Sequence, residues 1–249
     1  MHTAAKIAKV GDRVLSFVAL LLVLSMLLFG GYSLWDMWST AHGAFISNDL
    51  LKYKPKEDDP DNLSLYDLKA INDDVRGWLT IDNSHIDYPV VQGGDDMEYV
   101  NKDIYGRFSL SGAIFLGYRN APDFSDGYNL LYGHHVDGGA MFADVIEFQK
   151  ADFFEKHRTG RLMTFGGNFR VDVFAVAALD AYDAYVYRDP SDYDDPADMQ
   201  SLIDYLRTNS VQYREIGVTG SDKVMALSTC TSSATYGRAV LFCKLTPES

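Results

Sequence analysis

The sequence predicts a mainly β protein: a barrel of about eight strands, with one helix ahead of it and another just before the strand that carries a cysteine. Three observations predict it. From Gly77 onward, short apolar runs alternate with turn-forming residues. Their irregular spacing suits a closed barrel better than a doubly wound sheet, which would need a helix between strands. One late stretch, 196–209, has helical period instead.

The elements follow in chain order. Val14 to Trp35 contains no charged residue over 22 positions, long enough to cross a bilayer as a helix. Lys6, Lys9 and Arg13 precede it, and Tyr32, Trp35 and Trp38 mark its far end, which predicts a cytoplasmic N-terminus with 36–249 outside. A cleaved signal peptide is the alternative, with small residues at Ala41-His42-Gly43, but signal cores run only about 7–15 residues. The expected parts are a cytoplasmic tail 1–13, a transmembrane helix 14–35, a stalk 36–62 and an external domain 63–249. Lys52 to Asp61 is charged and proline-containing, a composition that solvates rather than packs. Leu65, Leu68 and Ile71 have helical spacing within 63–72.

The predicted strands are 78–81, 86–91, 112–116, 128–132, 161–165, 169–179, 223–229 and 238–245. Asp82-Asn83-Ser84 turns the first into the second. A short helix is expected over 141–148. In the later helix Asp195 caps, Pro196 takes the first position, Asp198 favours the dipole, and Met199, Leu202, Ile203 and Leu206 share a face.

Composition narrows the function. The net charge is −13; residues 1–35 carry +2, which leaves −15 for the remainder. Nucleic acid as a partner is excluded on that ground, because phosphates need a basic face. An amine-bearing partner is not excluded. No phosphate loop and no zinc spacing occurs, and Asp189 to Asp198 lacks the calcium-loop pattern, so neither cofactor nor metal is expected.

Three residue types carry chemistry. Cys230 ends the apolar run Ala226 to Thr229, Arg238 opens the next run, and His134 ends the run Leu130-Leu131-Tyr132-Gly133. A thiol, an imidazole and a fixed positive charge at strand edges are the parts of a cysteine acyl-transfer site. Strand alternation puts Arg238, Val240, Phe242 and Lys244 on one face and Ala239, Leu241, Cys243 and Leu245 on the other. Cys243 is therefore expected to be a buried inert thiol, pointing away from Cys230 and Arg238, with no disulfide between the cysteines. His85 and His157 suit loop or strand-edge positions and take no role.

These segments resemble the class B sortases, membrane-anchored cysteine transpeptidases of Gram-positive bacteria. The likeness runs through Ile71-Asn72-Asp73-Asp74-Val75-Arg76-Gly77-Trp78-Leu79, Ile86 to Gln92, Ser111 to Leu116, Tyr132-Gly133-His134-His135 with Met141-Phe142, Leu227-Ser228-Thr229-Cys230, and Arg238. It implies the eight-stranded sortase barrel and a catalytic domain over 63–249. It also implies a nucleophile at Cys230, an acid–base imidazole at His134 rather than the adjacent His135, and a substrate-holding, oxyanion-stabilising Arg238. The implied substrates are secreted proteins with a C-terminal sorting motif of Asn-Pro-x-Thr or Leu-Pro-x-Thr type. The implied acceptor is an amine, of a peptidoglycan cross-bridge or of a pilin lysine. Gly117 and Thr231 stand where relatives often carry acidic residues, which weakens any transfer of fine substrate preference. Other readings of the same residues are a hydrolysing cysteine peptidase and a non-catalytic surface domain. Papain-like families place Cys before His, the reverse of the order here.

Overall fold

The computed structural model describes residues 2–44, 48–56, 61–136, 138–231 and 237–248, with backbone alone at 2–9, 37–44 and 48. Two compact units emerge, residues 1–42 and 43–249. The described residues of the first, 2–42, lie within one helix, α1 (His2–Ala44). Its stretch Val10–Asp36 has mean hydropathy 2.6 and is long and apolar enough to cross a membrane.

The second unit is the predicted barrel. Its strands are β1 (Val75–Ile81), β2 (Asp87–Val91), β3 (Ile114–Leu116), β4 (Tyr128–Tyr132), β5 (Thr159–Thr164), β6 (Gly167–Asp180), β7 (Lys223–Cys230) and β8 (Gly237–Pro247). Neighbours run β8-β7-β4-β3-β2-β1-β5-β6, and β6 pairs back onto β8 to close the ring. The β2–β3 and β4–β7 pairs are parallel. In the closing ladder the register slips between Phe242 and Cys243, where Phe174 is the extra residue of a bulge. Asn83 takes the left-handed conformation in the β1–β2 turn, which its type tolerates.

Alternation sorts the strand residues into three packed layers. Leu79, Val90, Ile114, Leu131, Leu227 and Leu241 fill the interior with Cys243. Outside β4, β6, β7 and β8, helix α6 (Pro196–Asn209) lays Met199, Leu202, Ile203 and Leu206 against Leu130, Phe174, Ala226 and Phe242. Asp195 accepts the Ala197 N–H at 2.8 Å as the predicted cap. Outside β1, β2 and β3, helix α3 (Leu63–Lys69) seats Leu65 and Leu68 around buried Trp78.

Two local expectations differ. Part of the expected stalk packs: α2 (Asn48–Leu51) buries Leu50 in the layer with Leu65 and Leu68, and within the charged stretch that follows Pro55 is buried and Lys54 reaches Asp87 at 2.6 Å. That carboxylate also accepts from Trp78 Nε1 at 2.7 Å and Thr80 Oγ1 at 3.0 Å, so a barrel anion recruits the lysine. Residues 57–60 of the same stretch lie outside the described residues. The helix expected over 141–148 is shorter, α4 (Asp144–Glu147), because His135–Val136 and Ala140–Met141 pair as a small hairpin first. α5 (Ala151–Lys156) follows, unpredicted.

Candidate active site

Strand parity and register assemble the site. In β7, Met225 and Leu227 face the interior while Val224 and Ala226 face the α6 layer. Ser228 and Cys230 continue the outward series. In β8, Ala239, Leu241 and Cys243 face inward and Val240 and Phe242 outward, so Arg238 is outward too. Cys230 pairs directly with Arg238. In β4, Leu130 and Tyr132 face outward, and Tyr132 is the register partner of Ser228. Gly133 N–H then donates to the Ser228 carbonyl at 3.1 Å, so the parallel track carries past the end of β4. Two residues beyond Tyr132 and two beyond Ser228 stand His134 and Cys230. The fold thus brings the three sequence-predicted residues to one end of three adjacent strands, on the outer face.

Cys230 is exposed and free. Cys243 is buried and free, and burial pushes its thiol well above the ordinary range. Gly133 explains the residue before the imidazole. A Cβ there would sit 2.4 Å from Ile114 Cδ1 and 2.7 Å from Phe142 Cδ2. Beyond it, His134 accepts the Phe142 N–H at its carbonyl, 3.0 Å, and its Nε2 lies 2.8 Å from the Val100 carbonyl oxygen. His135 opens the hairpin instead, paired with Met141. Tyr88 holds that hairpin by accepting the Met141 N–H at 3.0 Å. His85, given no role from sequence, is tied to the start of α4, just after the hairpin. Its backbone N–H donates to buried Asp144 at 2.7 Å, and its Nδ1 lies 3.0 Å from the same oxygen. His157 is buried between the Phe153 and Asn83 carbonyls, at 2.7 and 3.0 Å.

Sequence reasoning missed Tyr187. Its hydroxyl hydrogen-bonds Ser228 Oγ at 2.8 Å, one outward position before the cysteine. Burial pushes the phenol up to about 12, against the Ser228 bond and the positive charge of Arg238. Tyr132 is likewise raised, chiefly by burial, with Arg238 opposing. Arg238 therefore sits within electrostatic reach of both phenols. Beside them is a cavity of about 200 Å³ lined by Asp96, Tyr118, Arg119, Leu130, Tyr132 and Tyr187 among others. Tyr187 is one of four tyrosines in the segment 180–195, which shows no strand or helix period, so nothing local singles it out. Among the described residues, no group of three or more His, Cys, Asp or Glu could hold a metal ion.

The arrangement can perform nucleophilic acyl transfer. It offers an exposed thiol, an imidazole at the adjacent strand end, a guanidinium on the paired residue, and an aromatic-walled cavity alongside.

Residues 79–246 match the Sortase domain family. Sortase B of Listeria monocytogenes is 30% identical over 234 residues, covering 90% of this chain and 94% of the relative. The Staphylococcus aureus sortase B–substrate complex superposes with a TM-score of 0.71 at 30% identity, covering 78% of this chain and 88% of that one. A Streptococcus pyogenes class B sortase involved in pilus biogenesis gives a TM-score of 0.67 at 40% identity, covering 73% and 97%.

Proposed function

This chain belongs to the sortase family, in its class B, and is a cysteine transpeptidase; on that premise we propose that Cys230, His134 and Arg238 are its catalytic residues and that it joins proteins bearing a C-terminal sorting motif to an amine. Cys230 loses its proton and attacks the carbonyl after the threonine of an Asn-Pro-x-Thr or Leu-Pro-x-Thr type motif. Arg238 holds the substrate and places positive charge at the developing oxyanion. His134 protonates the leaving amine, and a thioester on Cys230 remains. An incoming amine attacks the thioester, His134 takes its proton, and the thiol is regenerated. The observation that carries this reading is the convergence of three residues distant in sequence on one outer face, with Cys230 and Arg238 as direct register partners.

The acceptor in this reading is the amine of a peptidoglycan cross-bridge. The apolar stretch of α1 anchors the enzyme, with its basic N-terminal flank inside and residues 36–249 outside, where secreted substrates and wall precursors meet. A second reading, transfer to a pilin lysine, draws support from the 40% identity to the pilus-biogenesis enzyme of S. pyogenes.

The test uses the full chain in detergent micelles, a motif peptide and mass spectrometry. A hydroxylamine-sensitive thioester on Cys230 is expected, diverted to a transfer product by a primary amine. Transfer to a cross-bridge mimic supports wall anchoring, and transfer to a pilin-lysine mimic supports polymerisation. Hydrolysis alone across the whole panel would leave a peptidase instead.

A further inference from the structure

The ring nitrogens of His134 are not equivalent. Nε2 lies 2.8 Å from the main-chain oxygen of Val100. A carbonyl oxygen can only accept a hydrogen bond, so the nitrogen facing it must carry a hydrogen. In the neutral imidazole that leaves Nδ1 with the lone pair. A base is commonly oriented by a third group in cysteine–histidine sites, and no carboxylate contact to His134 plays that part among the described residues.

The Val100 carbonyl is itself firmly placed. It leaves a single 3-10 turn, Glu98–Val100. The turn is pinned through Tyr99, which is buried. The Tyr99 hydroxyl donates to Asp74 Oδ2 at 2.7 Å and accepts from Asn72 Nδ2 at 2.9 Å. Asn72 is braced in turn, donating to the Ile104 carbonyl at 2.9 Å and accepting the Asp74 N–H at 3.0 Å. On the other side Ala113 N–H donates to the Tyr99 carbonyl at 3.1 Å. Gly112, at φ +61°, lets that strand approach, since a Cβ there would fall 2.5 Å from both the Tyr99 and the Val100 oxygens. Two sequence segments that supply no reacting group, Ile71 to Asp74 and Ser111 to Ala113, thus meet on one turn.

We propose that the Val100 main-chain carbonyl is the orienting partner of the His134 imidazole, holding it in the Nε2–H tautomer so that Nδ1 alone takes up and releases the transferred proton, with Asn72, Asp74, Tyr99 and Gly112 as positioning residues. The inference rests on the reading of His134 as acid and base. In the acylation step the Cys230 S–H bond breaks as an Nδ1–H bond forms. The same proton then passes to the leaving amine as its C–N bond breaks and the thioester C–S bond persists. In deacylation Nδ1 takes a proton from the attacking amine and returns it to the departing thiolate. Nε2–H stays on Val100 throughout.

The experiment is nitrogen-15 NMR of the full chain in micelles with labelled histidine, the His134 signal identified by its loss in His134→Gln. Neutral His134 is expected with Nε2 protonated and Nδ1 of pyridine type. Tyr99→Phe keeps the ring and removes both hydroxyl bonds; it is expected to yield a mixture of tautomers. Its kcat should fall on the order of 10- to 100-fold, the scale of a misplacement of about 1 Å, with KM changing far less. Gly112→Ala should act in the same direction. A purely structural role would lower the melting temperature and leave the tautomer alone. An Nδ1–H tautomer in the unmodified protein overturns the proposal, as does Tyr99→Phe with an unchanged tautomer. If His134→Gln retains turnover, the failure belongs to the acid–base reading and not to the tautomer.

Discussion

Replacing Gly133 by alanine should disable the enzyme while leaving it folded. The added Cβ would lie 2.4 Å from Ile114 Cδ1 and 2.7 Å from Phe142 Cδ2, against an ordinary contact of 3.4 Å or more. Something must therefore move by about 1 Å. Ile114 and Phe142 are both buried in the barrel interior and have little room to yield. Overpacking of this kind costs about 1–3 kcal/mol. For a domain of this size that lowers the melting temperature by roughly 2–12 °C. The backbone at 133 is the softer element, and it carries the N–H bond to the Ser228 carbonyl and leads directly into His134. A shift of ~1 Å in a catalytic group can cost about 100-fold in rate. The assay is kcat and KM for a sorting-motif peptide beside a thermal melt of the same sample. The reasoning fails if Gly133→Ala melts several degrees lower yet turns over within about twofold of the parent, because the displacement would then not reach the imidazole.

Four other outcomes are expected. Cys230→Ala should abolish thioester formation, while Cys243→Ala keeps most activity; iodoacetamide should label Cys230 in the native protein and Cys243 only on unfolding, and native labelling of both would contradict the parity argument. Arg238→Lys should lose about 100–1000-fold in kcat, since a point charge does not reproduce a planar fork of donors, and near-parental rates would make Arg238 structural. A chain beginning at Asn62 should be less stable than one beginning at Asn48 by about 2–4 kcal/mol, from burial of Leu50 and a half-exposed ion pair at Lys54, as read by urea unfolding; equal midpoints would show that α2 contributes nothing. The Tyr187 phenol, raised from 10 to about 12, contributes stability that is complete below pH 10 and is lost as pH rises through about 12, so Tyr187→Phe should flatten the alkaline limb of a pH–stability curve, and an unchanged limb would argue against its burial.

Some of this was written in local sequence. Alternation within 238–245 separates Arg238 from Cys243, and the structure puts Cys243 in the interior with Ala239 and Leu241. The Asp195-Pro196 start and the apolar stripe of α6 are equally local, as is the apolar stretch of α1. Each depends on the period of one element, which a sequence displays directly. Other features arise only when distant segments meet. That β4 runs parallel to β7 in the register Tyr132 with Ser228, bringing His134 to the level of Cys230, follows from barrel closure and not from either strand alone. Tyr187 reaches Ser228 from a loop with no period to read. The charged, proline-containing composition around Lys54 implied solvation, yet Asp87, itself held by Trp78 and Thr80, draws the lysine onto the barrel. The Val100 carbonyl carries no side-chain signature at all; its place against His134 depends on where the chain turns once Tyr99 is buried. Periodicity and capping are decided within a few residues, whereas register, loop docking and the aim of a backbone carbonyl depend on which surfaces the closed barrel leaves to be covered.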